Sequence, residues 1–185
     1  MKTIPVEPGY ERMLQHEFDI LRFIDHPFLL DLVEVYYSSQ TQSLHLILPL
    51  YTGGEVYSRI IEKQVIPEKE CAVIINQALL GINYLHSQGI AHRDLKPENI
   101  VFEKRLYSPL DMIIKIIDFG FACDMKLQET VDVFMGTPYY MAPEVVRAED
   151  MTPKSDLWSI GIILYSMLVG YPPFAKAKTM DELYI

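Results

Sequence analysis

The sequence is poor in cysteine and in positive charge, and both shortages exclude classes of protein. Cys71 and Cys123 are its only cysteines, which are too few and too widely spaced for a zinc site or a disulfide framework. We therefore expect two free thiols in a reducing, intracellular compartment, the cytoplasm or the nucleus. Sixteen basic residues against 25 acidic ones give a net charge of -9. This charge disfavours nucleic acid and anionic membranes and favours basic partners.

Long apolar runs and an export signal are also missing. The longest apolar stretch, residues 157–169, is shorter than the roughly 20 residues that a membrane span needs, so no membrane span is expected. The first five residues have no apolar segment of the kind found in secretory signals. Half of the 185 residues are apolar, which is enough for the buried core of one domain.

The first 50 residues favour strands around one helix. Apolar residues recur at helical spacing over residues 10–24, and His26 with Pro27 ends that pattern. Two strand-like runs follow, at residues 29–37 and 44–48. Because a short polar turn separates these runs, they predict a β-hairpin.

The rest of the chain is mainly helical. The predicted elements are a short helix after Gly53 and Gly54, a longer helix from Pro67 to Gly89, short strands at residues 100–102 and 113–117, and a final helix up to Gly170. Thr152 is the predicted N-cap of the final helix, with Pro153 in its first turn. That helix is apolar on nearly every side, which predicts a position at the centre of the domain.

Three motifs carry most of the functional information. In chain order they are His92-Arg93-Asp94-Leu95-Lys96-Pro97-Glu98-Asn99, then Asp118-Phe119-Gly120, then Ala142-Pro143-Glu144. Together they resemble the catalytic part of a eukaryotic protein kinase, and the lysine two residues after Asp94 is typical of the serine/threonine form. The resemblance covers almost the whole chain.

The resemblance implies an α+β, two-lobed fold. The strand-rich N-lobe would occupy residues 1–50, starting at its third strand, and the helical C-lobe would occupy residues 51–185. No G-x-G-x-x-G motif occurs in the sequence, and its last residues resemble the start of a further helix. We therefore expect a kinase fold truncated at both ends.

The resemblance also implies phosphoryl transfer from ATP to a protein hydroxyl. Asp94 would accept the proton of the substrate hydroxyl, and Lys96 would face the transferred phosphate. Asn99 and Asp118 would bind magnesium ions (Mg²⁺), which prefer oxygen ligands. Asp156 would anchor the backbone of the loop at residues 92–99, since a carboxylate entering a buried helix needs partners.

ATP binding is implied for residues near the lobe boundary. Lys2 resembles the third-strand lysine that holds the ATP phosphates, with Glu17 as its helical partner; the alternative is a frayed terminal lysine. Leu48 matches the gatekeeper, and the adenine would lie against Pro49 and the backbone of Tyr51. A proline is tolerated there because the missing N–H is not needed for binding.

Substrate preference is implied by two side chains. Glu55 matches a residue that, in kinases for basic substrates, contacts the ribose and an arginine three residues before the target; a solvated glutamate is the alternative. Phe121 is bulky, which is associated with serine over threonine. We expect basic protein or peptide substrates.

The sequence leaves open how the activation segment, between Asp118 and Glu144, is controlled. Arg93 would pair with a phosphate on this segment, but Val133 occupies the usual phosphosite position. Either Thr130 is a displaced phosphosite, or Glu129 and Asp132 supply constant negative charge. Residues 2–5, 115–122 and 170–174 look most like the calcium/calmodulin-dependent branch of the family, including calcium-dependent kinases. Neither a calcium-binding EF-hand loop nor a calmodulin-target helix occurs in these residues, so they leave calcium or calmodulin regulation open.

A non-catalytic kinase-like scaffold, or pseudokinase, is the alternative function. The missing glycine-rich loop favours it. Erosion of Asp94, Asn99 or Asp118 is the usual sign of such a protein, and all three are present, which favours the enzyme.

Overall fold

The computed structural model describes residues 2–5, 11–105, 108, 112–125, 138–147, 152–177 and 182, with the backbone alone for residues 4, 5 and 11–16. Its N-lobe consists of strand β1 (Lys2–Pro5), helix α1 (Glu11–Phe23), strand β2 (Glu34–Ser38) and strand β3 (Ser43–Ile47). The three strands form an antiparallel sheet in the order β1-β3-β2. The predicted helix and hairpin are thus both present.

The first strand of the hairpin is shorter than predicted, because Leu29 and Leu30 pair with a different segment. Leu29 bridges to Ile116, and the N–H of Leu30 donates to the carbonyl of Ile116 at 2.9 Å. The N–H of Ile116 in turn donates to the carbonyl of Phe28 at 2.9 Å. An apolar run indicates burial without identifying the partner. Here the partner of Leu29 and Leu30 is the C-lobe, so the prediction of a hairpin strand was wrong for these two residues, whereas the N–H of Val33 donates to the carbonyl of Ile47 in β3 at 2.9 Å.

The C-lobe is mainly helical. Its elements are α2 (Val56–Lys63), α3 (Glu68–Ser87), β4 (Ile90–Ala91), β5 (Ile100–Phe102), β6 (Ile114–Ile116), β7 (Cys123–Asp124), α4 (Pro143–Val146) and α5 (Lys154–Val169). Strand β4 pairs with β7, and β5 pairs with β6, both antiparallel. The predicted two-lobed α+β architecture is confirmed.

The ends of the long helices follow the capping signals in the sequence. Pro67 has an extended ψ of 139° and precedes α3, which therefore begins one residue later than predicted. Gly89 has φ +82°, as expected for the residue after a helix C-cap. At α5, Thr152 Oγ1 accepts a hydrogen bond from the N–H of Lys154 at 3.3 Å, as an N-cap does. Gly170 ends this helix in the left-handed region, with φ +93°.

Helix α5 is buried on one side only within the described part of the chain. Ile163 and Met167 are fully buried against the core. Leu157 and Tyr165, on the other side, are 46% and 40% exposed. Among the described residues, the apolar character of this helix on nearly every side therefore exceeds its burial, which is confined to the face against the core.

Two smaller expectations concern the cysteines and membrane insertion. Cys71 and Cys123 are both free and buried. Among the residues that the structure describes, no helix combines the length and apolar character needed to cross a membrane.

Candidate functional site

The loop at residues 92–99 joins β4 to β5 and brings three predicted site residues into contact. The Lys96 ammonium donates to Asp94 Oδ2 at 2.7 Å, and the Asn99 side-chain amide donates to the same atom at 3.1 Å and to the Asp94 carbonyl at 2.8 Å. Asp94 is 3% exposed, and its Oδ1 has no hydrogen-bond partner among the described residues. A buried carboxylate oxygen without a donor is costly, so this atom is suited to receive one from a bound molecule.

Asp156, at the start of α5, holds the backbone of this loop. Its Oδ2 accepts the N–H of His92 at 3.0 Å, and its Oδ1 accepts the N–H of Arg93 at 2.9 Å. The ring of His86 approaches Oδ2 at 2.8 Å. The predicted anchoring of the loop by Asp156 is confirmed. These bonds support the left-handed backbone of Arg93, with φ +71°.

His92 and Phe119 form the packed frame of the site. Both are fully buried, and their ring centroids are 5.1 Å apart. His92 Nε2 lies 3.1 Å from the carbonyl of Ile117, while the N–H of Asp94 points to Nδ1 at 3.3 Å. These contacts assign the ring proton to Nε2. Burial lowers the pKa of His92 below its usual 6.5, so the ring is neutral at pH 7.

Three charged side chains meet where the two lobes face each other. The Lys2 ammonium lies 2.6 Å from Glu17 Oε1 and 3.9 Å from Asp118 Oδ1. The Glu17 side chain is 8% exposed, which makes a cationic partner important for its charge. Asp118 has φ +65° and a half-exposed side chain. This geometry brings β1, α1 and the segment after β6 into one polar cluster.

The donor chemistry of Asn99 and Asp118 fits a hard cation. Both supply side-chain oxygens, and the N–H of Ile117 donates to the Asn99 carbonyl at 2.9 Å, which links the two segments directly. In the described part of the chain, no three His, Cys, Asp or Glu residues cluster as a metal cage.

The predicted adenine-binding segment connects the lobes. Leu48 and Tyr51 pack against the core, Pro49 is half-buried, and Leu50 is 86% exposed. Glu55 is exposed, precedes α2 as its N-cap residue, and bridges to Val101. Glu55 therefore faces solvent next to this segment, separate from the Asp94 loop.

Sequence analysis missed a second polar cluster behind this segment. The Lys115 ammonium lies 2.6 Å from Asp31 Oδ2 and 5.7 Å from the centre of the Tyr51 ring. The Tyr51 hydroxyl donates to Asp31 Oδ2 at 2.9 Å, and burial raises the pKa of that hydroxyl. Lys115 is only 5% exposed. A lysine inside an otherwise apolar strand was the signal that could have revealed it.

Some predicted features fall outside the described residues. These are Glu129, Thr130, Asp132 and Val133 of the activation segment. Phe121 is described and half-buried. Glu144, in the Ala-Pro-Glu motif, accepts a hydrogen bond from the Ser155 hydroxyl at 2.8 Å.

Comparison with known proteins agrees with the geometry. The family model described as "Protein kinase domain" matches residues 1–184. The chain is 42% identical to calcium/calmodulin-dependent protein kinase type 1 of Macrobrachium nipponense, over 90% of this chain and 46% of the relative. It is 40% identical to calcium-dependent protein kinase 5 of Plasmodium berghei, over 92% of this chain and 29% of the relative.

A third relative, calcium-dependent protein kinase 4 of Plasmodium falciparum, is 39% identical over 92% of this chain and 31% of its own length. The chain thus spans less than half the length of each of these three relatives. The match of the family model is nearly complete, and the chain belongs to the protein kinase domain family.

Proposed function

We propose that this protein transfers the γ-phosphoryl group of ATP to a serine or threonine hydroxyl of another protein. One observation carries the proposal: Asp94 is buried, its Oδ2 is held by Lys96 and Asn99, and its Oδ1 has no partner among the described residues. A carboxylate fixed in this way is suited to orient a hydroxyl and accept its proton.

Lys96 and Lys2 supply positive charge on two sides of the site. The Lys96 ammonium is 2.7 Å from Asp94 and is suited to neutralise charge on the phosphoryl group in flight. Lys2, fixed at 2.6 Å by Glu17, is suited to bind the other ATP phosphates. Leu48, Pro49 and the backbone of Tyr51 would bind the adenine.

Asn99 and Asp118 are the proposed magnesium ligands. When bound, Mg²⁺ neutralises phosphate charge and fixes its geometry. The backbone hydrogen bond from Ile117 to Asn99 supports this assignment, because it keeps the two segments that carry these residues adjacent.

Basic protein substrates are the finer part of the proposal. The net charge of -9 favours cationic segments, and Glu55 offers an exposed carboxylate next to the proposed adenine-binding segment. Glu98, within the loop at residues 92–99, has a buried Oε2 without a hydrogen-bond partner in the described part of the chain. A guanidinium group from a substrate would supply that partner. The two buried free thiols support an intracellular location, in the cytoplasm or the nucleus.

The proposal is tested by replacing Asp94 with asparagine. We expect Asp94→Asn to lower kcat at least about 100-fold, because an amide does not accept the hydroxyl proton. The affinity for Mg·ATP should change by less than about threefold, since Asp94 does not contact the adenine segment. Phosphate transfer to a basic serine peptide and nucleotide binding by calorimetry are the two measurements.

Glu62→Gln, on the exposed side of α2, is the matched control and should retain activity. Full activity of Asp94→Asn would show that Asp94 is not the base. Nucleotide binding without any transfer by the parent protein would favour the non-catalytic scaffold instead.

A further inference from the structure

The side chain and the backbone of Tyr51 have different surroundings. Its side chain lies in the polar cluster behind the adenine-binding segment, whereas, among the described residues, neither its N–H nor its carbonyl forms a backbone hydrogen bond. The next two residues are tied to β5 and the residue after it: the N–H of Thr52 donates to the carbonyl of Glu103 at 3.1 Å, and the N–H of Gly53 donates to the carbonyl of Phe102 at 3.0 Å. Tyr51 therefore keeps a backbone donor and a backbone acceptor for a bound molecule.

The hydroxyl of Tyr51 makes two hydrogen bonds to one residue, Asp31. It donates to Asp31 Oδ2 at 2.9 Å, and its oxygen accepts the N–H of Asp31 at 3.3 Å. Burial raises the pKa of this hydroxyl, so it stays protonated and remains a donor at neutral pH. Because the two bonds run in opposite directions, they fix the tip of the tyrosine ring against the segment that leads into β2.

Lys115 fixes the carboxylate of Asp31 in turn. Its ammonium lies 2.6 Å from the same Oδ2 atom and 5.7 Å from the centre of the Tyr51 ring. Lys115 is buried, so its charge depends on this carboxylate. Lys115 precedes Ile116 on β6, and the carbonyl of Ile116 accepts the N–H of Leu30, the neighbour of Asp31, at 2.9 Å. The cluster is therefore attached to the C-lobe by backbone as well as by side chains.

The backbone of Tyr51 is thus held on two sides. Its side chain is fixed by the cluster, and the following residues approach β5 so closely that a Cβ added to Gly53 would collide with the Cβ of Phe102. Leu50, on the other side, is 86% exposed and gives no comparable support. The direction of the Tyr51 N–H is consequently set by the cluster and by β5.

We propose that Tyr51, Asp31 and Lys115 are positioning residues for the adenine ring of ATP. They hold the free backbone groups of Tyr51 where the edge of adenine, which offers ring-nitrogen acceptors and an amino donor, meets them. Within the described residues, none of the three side chains is hydrogen-bonded to Asp94 or Lys2, so their effect concerns the nucleoside part of ATP. The location of the adenine rests on the proposed function, whereas the contacts within the cluster do not.

Calorimetry with adenosine and with Mg·ATP separates this role from phosphate binding. Tyr51→Phe keeps the ring and removes the hydroxyl, so it should weaken binding of both ligands about fivefold. Lys2→Ala should weaken Mg·ATP and leave the affinity for adenosine within about twofold, because adenosine has no phosphate. Tyr57→Phe, at an exposed tyrosine of α2, is the matched control and should bind both ligands like the parent. Unchanged adenosine binding by Tyr51→Phe would overturn the proposal.

Substitutions at Lys115 test whether Tyr51 acts through Asp31. Lys115→Met should weaken adenosine binding about threefold, and Lys115→Arg, which retains the charge beside the ring, should bind within about twofold of the parent. The double variant Tyr51→Phe/Lys115→Met should bind about as weakly as Tyr51→Phe alone, because both changes release the same carboxylate. A combined loss equal to the product of the two single losses would show independent action and overturn the cluster as a unit.

Kinetics distinguish positioning from a loss of stability. Tyr51→Phe should raise the KM for ATP about fivefold and change kcat less than about twofold, whereas a smaller folded fraction would lower the apparent kcat and leave KM unchanged. Higher activity or tighter nucleotide binding in Tyr51→Phe would mean that the cluster restrains the site, which overturns the proposal. Nucleotide binding without transfer by the parent contradicts the proposed function alone. A parent that binds neither adenosine nor Mg·ATP would overturn both.

Discussion

Asp156 accepts hydrogen bonds from the backbone of His92 and Arg93 and contacts the ring of His86. Asparagine has one acceptor oxygen instead of two, so Asp156→Asn leaves at least one buried N–H of the loop without a partner. We expect the free energy of unfolding to fall by about 2 to 4 kcal/mol, measured by urea denaturation. Glu62→Gln, at an exposed position on α2, should cost less than about 0.5 kcal/mol. Equal effects of the two substitutions would contradict the anchoring role.

Burial of His92 makes stability depend on pH. Burial lowers the pKa of this ring below 6.5 in the folded protein, so the unfolded chain binds the proton more tightly. The stability that neutral His92 contributes is therefore fully present above about pH 6.5 and is lost as pH falls. The slope reaches about 1.4 kcal/mol per pH unit.

Urea denaturation at several pH values from 7.5 to 5 measures this slope. His92→Gln removes the titrating group and should reduce the slope of unfolding free energy against pH by up to the contribution of one proton. Burial also lowers the pKa of His26, so part of the slope should remain in this variant. An unchanged slope in His92→Gln would contradict the assignment.

At the scale of elements, the ion pair of Asp31 and Lys115 connects the segment after α1 to β6. Its two side chains differ in exposure to solvent. Lys115 is 5% exposed, whereas the Asp31 side chain is 47% exposed. Asp31→Asn leaves a buried ammonium without its carboxylate and should cost about 2 to 4 kcal/mol. Lys115→Met leaves a carboxylate that water can reach and should cost less than about 1 kcal/mol. Chemical denaturation of both variants measures the order, and the reverse order would contradict this account.

Element prediction succeeded where local signals were strong. Thr152, Gly89 and Gly170 marked helix ends through capping chemistry, which acts within one turn and is legible in the sequence. Leu29 and Leu30, at the start of the predicted strand, carried an apolar signal alone, and their partner Ile116 lies more than 80 residues away. Pairing over that distance depends on tertiary packing, which periodicity does not encode.

For the molecule as a whole, the residues of the candidate site could be predicted because they lie in short motifs. The polar cluster behind the adenine-binding segment could not be predicted, because its residues lie in no motif. Asp94, Lys96 and Asn99 lie within six residues of one another, so their proximity in space could be predicted from the sequence. The cluster of Asp31, Tyr51 and Lys115 joins three distant segments with no motif. Single charged residues in apolar surroundings mark such clusters, but they do not name the partner.

Because the polar cluster at the lobe boundary draws on both lobes, nucleotide should stabilise the entire molecule. A ligand at 100 times its Kd stabilises a folded protein by about 2.7 kcal/mol, so Mg·ATP should raise Tm. Lys2→Ala should weaken nucleotide binding about tenfold and reduce the Tm increase at the same concentration. Lys69→Ala, at an exposed position on α3, is the matched control. An unchanged increase in Lys2→Ala would separate Lys2 from the nucleotide.

Because the C-terminal end of α1 is held in place, a tilt of this helix displaces the residues farther from that end. Just beyond it, the N–H of Asp25 donates to the Tyr84 hydroxyl at 3.1 Å, and the His26 ring stacks on Tyr84 with centroids 5.1 Å apart. These contacts hold the C-terminal end of α1 on the C-lobe. Glu17 lies six residues before Phe23, roughly 9 Å along the axis. A tilt of about 15° therefore displaces Glu17 by roughly 2 Å. This displacement is enough to break its contact with Lys2 while the C-terminal end of α1 stays in place.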